Sequence, residues 1–337
     1  MPEGVTLTLL VVLGLAVTFD YINGFHDTAN AIATSVSTRA LAPVWAIAMS
    51  ATANFAGALT GLAVAQTIGT GLIDTAVESQ TVIAAALVGA ITWNLITWRL
   101  GIPSSSSHAL IGGLLGASAI SAGFASWNVQ GIVTKVLIPL VASPLIGFTF
   151  ALLFMAVIFN VFRRAHPQRL NAVFRRLQIG SAAYMAFSHG SNDAQKTMGI
   201  MTMALVTAGI LDSFEVPLWV ILTAASAISL GTAAGGWRII KTMGTKVVKL
   251  DPVHGFAAET TGATVIFGAS QLGIPVSTTH IISSAIMGVG SADRIKAVRW
   301  GVARSIVIAW ILTLPAAGTT AALAYLILNP LLSLNGS

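Results

Sequence analysis

Gly101-Ile102-Pro103-Ser104-Ser105-Ser106-Ser107-His108 returns later in the chain as Gly273-Ile274-Pro275-Val276-Ser277-Thr278-Thr279-His280. A second stretch, Asn23-Gly24-Phe25-His26-Asp27-Thr28-Ala29-Asn30, is echoed by His189-Gly190-Ser191-Asn192-Asp193-Ala194-Gln195-Lys196. Gly24 pairs with Gly190 and Asp27 with Asp193. The offsets are 172 and 166 residues and the order is the same, so the chain reads as a tandem duplication. The halves are 1–162 and 177–337, joined by a basic linker at 163–176.

The surroundings of these motifs are apolar. Charged residues are 8% of the 337 and hydrophobic ones 55%, where a soluble domain carries about 25% charge. So few charges cannot cover a water-facing surface, and most of the surface must face lipid. Spanning the hydrocarbon core takes about 20 apolar residues. Runs near that length lie at 5–19, 41–66, 81–98, 132–162, 217–234 and 305–328. Segment 5–19 has no basic flank or small-residue cleavage site and reads as the first helix, not a signal peptide. With no cysteine, disulfides, thiolate metal sites and thiol nucleophiles are excluded. No phosphate-binding NTPase loop is present, so no ATP drive is encoded here. No structural metal site or cofactor is expected. Ser107 beside His108 is no nucleophile pair, because adjacent helix residues do not face each other. The chain is not expected to be an enzyme.

Charge placement gives orientation. Basic residues cluster at Arg163, Arg164, Arg169, Arg175 and Arg176, then at Arg238, Lys241, Lys246 and Lys249, then at Arg294, Lys296, Arg299 and Arg304. These read as cytoplasmic loops rather than a nucleic-acid surface. The acidic loop residues Glu3, Asp74, Glu78, Asp212 and Glu215 sit elsewhere. When the repeat offset is applied, loop charges change sign between the halves. Loop 38–42 with Arg39 matches acidic 212–217, and acidic 67–79 matches basic 237–254. That is the mark of inverted-topology repeats, which place substrate at the repeat interface near the midplane. The expected fold is all-α and polytopic, with both termini outside. Segment 256–290 must return to the side it left, as a helix pair or a re-entrant hairpin.

A carboxylate at membrane depth is expensive and marks function. Asp20, Asp27, Asp193 and Glu259 qualify. Asp27 lies with Asn23, His26 and Asn30, and Asp193 with Asn192 and Gln195. Glycine and amides in such density predict an unwound backbone. One carboxylate with amide and backbone oxygens there suits Na⁺ or a proton. The Gly-Ile-Pro motifs read as sharp turns with proline in the first turn of the helix that follows. Ser104, Ser105, Ser106 and Ser107, and Ser277, Thr278 and Thr279, would open those helices. A helix N-terminus with hydroxyls is a ready oxyanion site. His108 and His280 end the two motifs as candidate braces or ligands. Lys196 offsets Asp193 or attracts the anion, and Arg99 snorkels.

These residues make the chain resemble the PiT family of inorganic phosphate transporters, closest to its short bacterial members. The resemblance rests on Ile22–Asn30, Pro103–His108, Phe187–Gly199, Pro275–His280 and Ala258-Glu259-Thr260. It implies symport of inorganic phosphate with Na⁺ or H⁺ across the plasma (inner) membrane, in some members as a neutral complex with a divalent metal. It also implies re-entrant hairpins and a homodimer. It carries a cation role over to Asp27 and Asp193, and a phosphate role to Ser105 and Ser277. Relatives with a Glu on the second helix have it where this chain has Asn54, and many have Asn where this chain has His26. A sulfate symporter of the same fold and an anion channel are the alternative readings.

Overall fold

The computed structural model describes residues 6–74 and 79–333; Glu3, Glu78 and both chain ends lie outside them. The first half comprises α1 Leu7–Ser37, α2 Pro43–Ala58, α3 Ala63–Thr70, α4 Gln80–Leu100, α5 Ser106–Ala122, α6 Val129–Ile132 and α7 Ile138–Val161. The second comprises α8 Pro167–Thr207, α9 Leu218–Ala234, α10 Trp237–Lys241, α11 Pro252–Gln271, α12 Thr278–Asp293 and α13 Trp300–Ser333. No strand occurs among the described residues; Ile73 and Trp127 form one isolated bridge. Four segments, at Leu7–Ser37, Gln80–Leu100, Val129–Val161 and Trp300–Leu331, are long and apolar enough to cross a membrane. Two bent pairs, α2 with α3 at 71° and α9 with the stretch 237–246 at 60°, raise that to six. Much of the linker expected at 163–176 is helix, because Pro167 opens α8 at its first turn.

The two halves pack by exchange. α1 lies on α9 while α8 lies on α2, and α5 lies on α13 while α12 lies on α7. Glycines permit the first pair of contacts. An added Cβ on Gly24 would lie 2.3 Å from the Ile228 carbonyl oxygen, and one on Gly190 would lie 2.1 Å from that of Asn54. These glycines, read from sequence as helix breakers, serve close helix packing. Accordingly α1 and α8 run unbroken through both Asp motifs, and the expected unwound backbone is absent.

The halves are inverted. Thr38, capping the C-terminal end of α1, donates to Gln178 near the start of α8 at 2.7 Å, so the two lead helices run antiparallel. The pairs α4–α5 and α11–α12 are hairpins that enter from opposite ends of α8. Gln80, which opens α4, donates to the Ala204 carbonyl near α8's end at 2.6 Å. Gly255, near the start of α11, packs on Gln178. Both hairpin turns reach the middle of α8, where Ser107 meets Lys196 and Thr278 meets Asp193.

Each turn is built alike. Gly101 (φ +68°) and Gly273 (φ +64°) end the first arms in the left-handed conformation that glycine adopts without a Cβ penalty. Ser105 and Ser277 cap the second arms, accepting from His108 N at 3.1 Å and His280 N at 3.2 Å. Each cap is worth about 1 kcal/mol. Pro103 and Pro275 thus precede the caps and are not in the first helical turn.

At the foot of the second hairpin, outside the membrane-spanning stretches, His254 bridges Asp251 at 2.7 Å and Asp293 at 2.9 Å. Burial pushes this imidazole's pKa down, but its hydrogen bonds to Asp251 and Asp293 outweigh that and raise it to about 9. A raised folded-state pKa stabilises the fold fully below the unfolded value near 6.5, and the gain fades as pH rises through about 9. The gain is at most about 3 kcal/mol, before screening at the two half-exposed carboxylates. The expected result is that His254→Gln melts below wild type at pH 6 and that the gap closes by pH 10. A gap that stays constant over thermal melts from pH 6 to 10 would refute the clamp.

Candidate functional site

Asp27, His189 and Asp193 present ligand atoms that all lie within 4.8 Å of one another, and all three residues are buried. The antiparallel crossing of α1 and α8 brings them together. His189 Nε2 lies 3.2 Å from Asp193 Oδ2 and 4.0 Å from Asp27 Oδ2, while its Nδ1 meets Asn54 Oδ1 at 3.0 Å. Asn54 is fixed in turn by donating to Thr232 at 2.8 Å.

Hydrogen bonds link the carboxylates to the hairpin tips. His26 Nδ1 meets Asp27 Oδ1 at 2.6 Å, and its Nε2 meets Thr97 Oγ1 at 3.0 Å. Ser104 donates to the same Thr97 oxygen at 2.9 Å. A chain thus runs from Asp27 through His26 and Thr97 to the hydroxyl row. From the second hairpin, Thr279 donates across the repeat interface to Asp27, and Thr278 donates to Asp193 within its own half, each at 3.4 Å. Asn30 donates to Thr278 at 3.2 Å and to Thr279 at 2.9 Å. Lys196 donates to Asp193, to Ser107 and, at 3.2 Å, to the Val276 carbonyl.

Two hydroxyl-capped helix N-termini therefore face two carboxylates in one closed cluster. Free N–H groups and hydroxyls at a helix start attract an oxyanion. Carboxylates with unpartnered amide oxygens attract a cation. The buried side-chain oxygens of Asn23 and Asn30 have no hydrogen-bond partner.

Against that geometry, residues 23–170 and again 162–321 match the sequence pattern of the phosphate transporter family. The chain belongs to this family. The transporter is 51% identical over 326 residues to a probable low-affinity inorganic phosphate transporter of Bacillus subtilis, covering 96% of this chain and 97% of that one. It is 53% identical over 328 residues to one of Rhizobium meliloti, covering 96% and 98%. It also resembles the solved structure of a sodium-dependent phosphate transporter, with TM-score 0.85 and 25% identity over 96% of this chain and all of that one. It is a multi-pass membrane transporter and not an enzyme.

Not every residue singled out from sequence joins the transporter's central cluster. Gln195 turns away: its Oε1 accepts from Val64 N at 2.8 Å, which satisfies the start of α3. Asn192 donates to Ser270 at 2.9 Å and to the Ile274 carbonyl at 3.3 Å, holding the second hairpin turn. Glu259 forms a separate buried knot. It accepts from Thr34, from Ser181 at 2.5 Å and from Gln178 at 3.1 Å. Thr34 lies seven residues beyond Asp27, about 10 Å along α1. His108 and His280 meet in a tilted contact, with ring centroids 4.8 Å apart, and His280 stacks on Trp310 at 4.1 Å. Arg99 is exposed.

Sequence reasoning missed His189, Thr97 and Asn54. His189 carried a signal: it stands four residues before Asp193, and on a continuous helix that spacing puts both on one face. Thr97 carried none, because it reaches the cluster from another helix, and Asn54 was marked only by the resemblance, as the place where some relatives have a Glu.

Proposed function

We propose that this phosphate transporter is a symporter importing inorganic phosphate across the plasma membrane, driven by H⁺ or Na⁺. The observation that carries the reading is the meeting of two carboxylates with two serine-capped helix N-termini between the inverted halves. In the proposed cycle, a cation is taken up at Asp27 and lowers the negative charge of the cluster. Phosphate then binds at Ser105 and Ser277, assisted by Ser104, Ser106, Ser107, Thr278 and Thr279. The two halves then rock around the filled site, with both termini staying outside.

Protons are the favoured driver because of the Asp27–His26–Thr97 chain. Thr97 donates its own hydroxyl proton to the Trp93 carbonyl at 3.0 Å. It therefore accepts from His26 Nε2–H, which leaves one further proton to be shared between His26 Nδ1 and Asp27. A carboxylate with its own proton-sharing partner is suited to H⁺ loading.

The test is labelled-phosphate uptake into proteoliposomes under imposed H⁺ or Na⁺ gradients, each with and without Mg²⁺. Uptake should rise about tenfold or more under an inward proton gradient, and excess sulfate should not compete. A response confined to Na⁺ would move the assignment to sodium. Equal uptake with no cation gradient would mark a channel and overturn symport.

A further inference from the structure

The inverted repeats are matched closely enough to show where they differ. In each half, the residue three places after the motif aspartate reaches across to the hydroxyl at the same position of a hairpin tip. Asn30 of the first half donates to Thr279, and Lys196 of the second donates to Ser107. Thr279 and Ser107 each directly precede the motif histidine. The first half thus places a neutral amide beside its aspartate, and the second half places an ammonium beside its own.

Lys196 is 1% exposed. An ammonium has three N–H donors and no acceptor, and all three have oxygen partners here: Asp193 Oδ1, Ser107 Oγ and the Val276 carbonyl. One carboxylate, one hydroxyl and one backbone carbonyl form the ligand set of a small hard cation. No donor is left over for an anion, so Lys196 does not reach phosphate without giving up a bond to the cluster. At the corresponding place in the first half, the carbonyl oxygen of Asn30 is buried and unpartnered, as is that of Asn23 on the same helix. One position holds a fixed ammonium, and its counterpart holds a neutral amide whose oxygen has no partner.

We propose that Lys196 is a tethered cation that permanently occupies the second of two symmetry-related cation positions. The travelling cation then loads only at the Asp27 position, and Lys196 sets the number of cations moved per phosphate. This inference rests on the symport reading given above.

The experiment is Lys196→Asn, which gives the second half the residue type of the first. Phosphate-driven charge movement is recorded in proteoliposomes, and the reversal potential gives net charge per phosphate. The expected result is one additional positive charge per phosphate, with uptake at low concentration of the driving cation, H⁺ or Na⁺, falling about tenfold and recovering as that cation is raised. Lys196→Ala should recover likewise when methylammonium is supplied, because that ion carries the missing charge into the vacated space. Thermal melts establish that each variant is folded. Charge per phosphate equal to wild type in a folded Lys196→Asn protein would overturn the proposal. So would a folded Lys196→Ala that neither the driving cation nor methylammonium restores. If Lys196→Asn does not fold, the wild-type count decides: two travelling cations per phosphate would defeat the tether. Asp27→Asn separates the two levels. If that variant keeps cation-driven uptake, the symport site itself is misassigned. If it loses uptake while Lys196→Asn keeps the wild-type charge count, only the tethered-cation inference falls.

Discussion

Asp27→Asn is expected to reduce cation-driven phosphate uptake by about 100-fold while the protein still folds. That factor corresponds to about 2.7 kcal/mol of lost interaction, at the lower end of the roughly 2–5 kcal/mol that truncating one partner of a buried hydrogen-bonded charge pair costs. The substitution preserves shape and one carbonyl oxygen. It removes the charge that faces His26 at 2.6 Å and His189 at 4.0 Å. With no carboxylate to neutralise, a proton or Na⁺ gains little by binding, and the gradient no longer drives the cycle. The hydroxyl groups at the hairpin tips are untouched, so phosphate binding without transport should persist and be measurable by calorimetry. Uptake within about twofold of wild type would remove Asp27 from the coupling role.

Gly190→Ala is expected to be among the most destructive single added methyl groups at the described glycines. Its Cβ would sit 2.1 Å from the Asn54 carbonyl oxygen and 2.7 Å from the Asn54 Cα. Both are backbone atoms, so no rotamer change relieves the clash, and α8 must move away from α2. Overpacking of this kind costs about 1–3 kcal/mol and sometimes more. The apparent melting temperature in detergent should fall by about 2–5 °C. Function should suffer more than stability, because Gly190 adjoins His189, whose ring is set by Asn54 at 3.0 Å. Gly180→Ala on the same helix is the control, since nothing lies within 4 Å of its added Cβ. There alanine should be neutral or slightly stabilising. Equal melting temperatures for the two variants would refute the close-contact argument.

The turn and cap chemistry of the hydroxyl motifs was legible in the residues themselves. Ser105 and Ser277 are the caps their spacing implied, because a serine after Gly-Ile-Pro-X has little else to do locally than open a helix. The reading of Asn23–Asn30 and Ser188–Gln195 as unwound was overturned. Propensity counts glycine against a helix, but it does not see that Gly24 and Gly190 each have a neighbouring backbone waiting in the space a Cβ would take. The same misreading hid His189, since its alignment with Asp193 exists only on an unbroken helix. It also misdirected Gln195 and Asn192. On a continuous helix, side chains one place before and two places after Asp193 leave in other directions, and these two satisfy α3 and the second hairpin turn.

By itself the sequence determined the membrane class, the duplication, the inversion and the identity of the charged and hydroxyl groups at depth. Those follow from composition, from loop charge and from repetition, all of which are local or countable. Only the tertiary structure decided which half serves which. Antiparallel packing of α1 on α8 gathers Asp27, His189 and Asp193. Entry of the hairpins from opposite ends lets Asn30 reach Thr279 and Lys196 reach Ser107. The physical reason is the cost of burying charge without a partner. Asp27, Lys196 and Glu259 each complete their bonding across the repeat interface, to Thr279, Ser107 and Thr34, and that interface does not exist until the two halves have packed together.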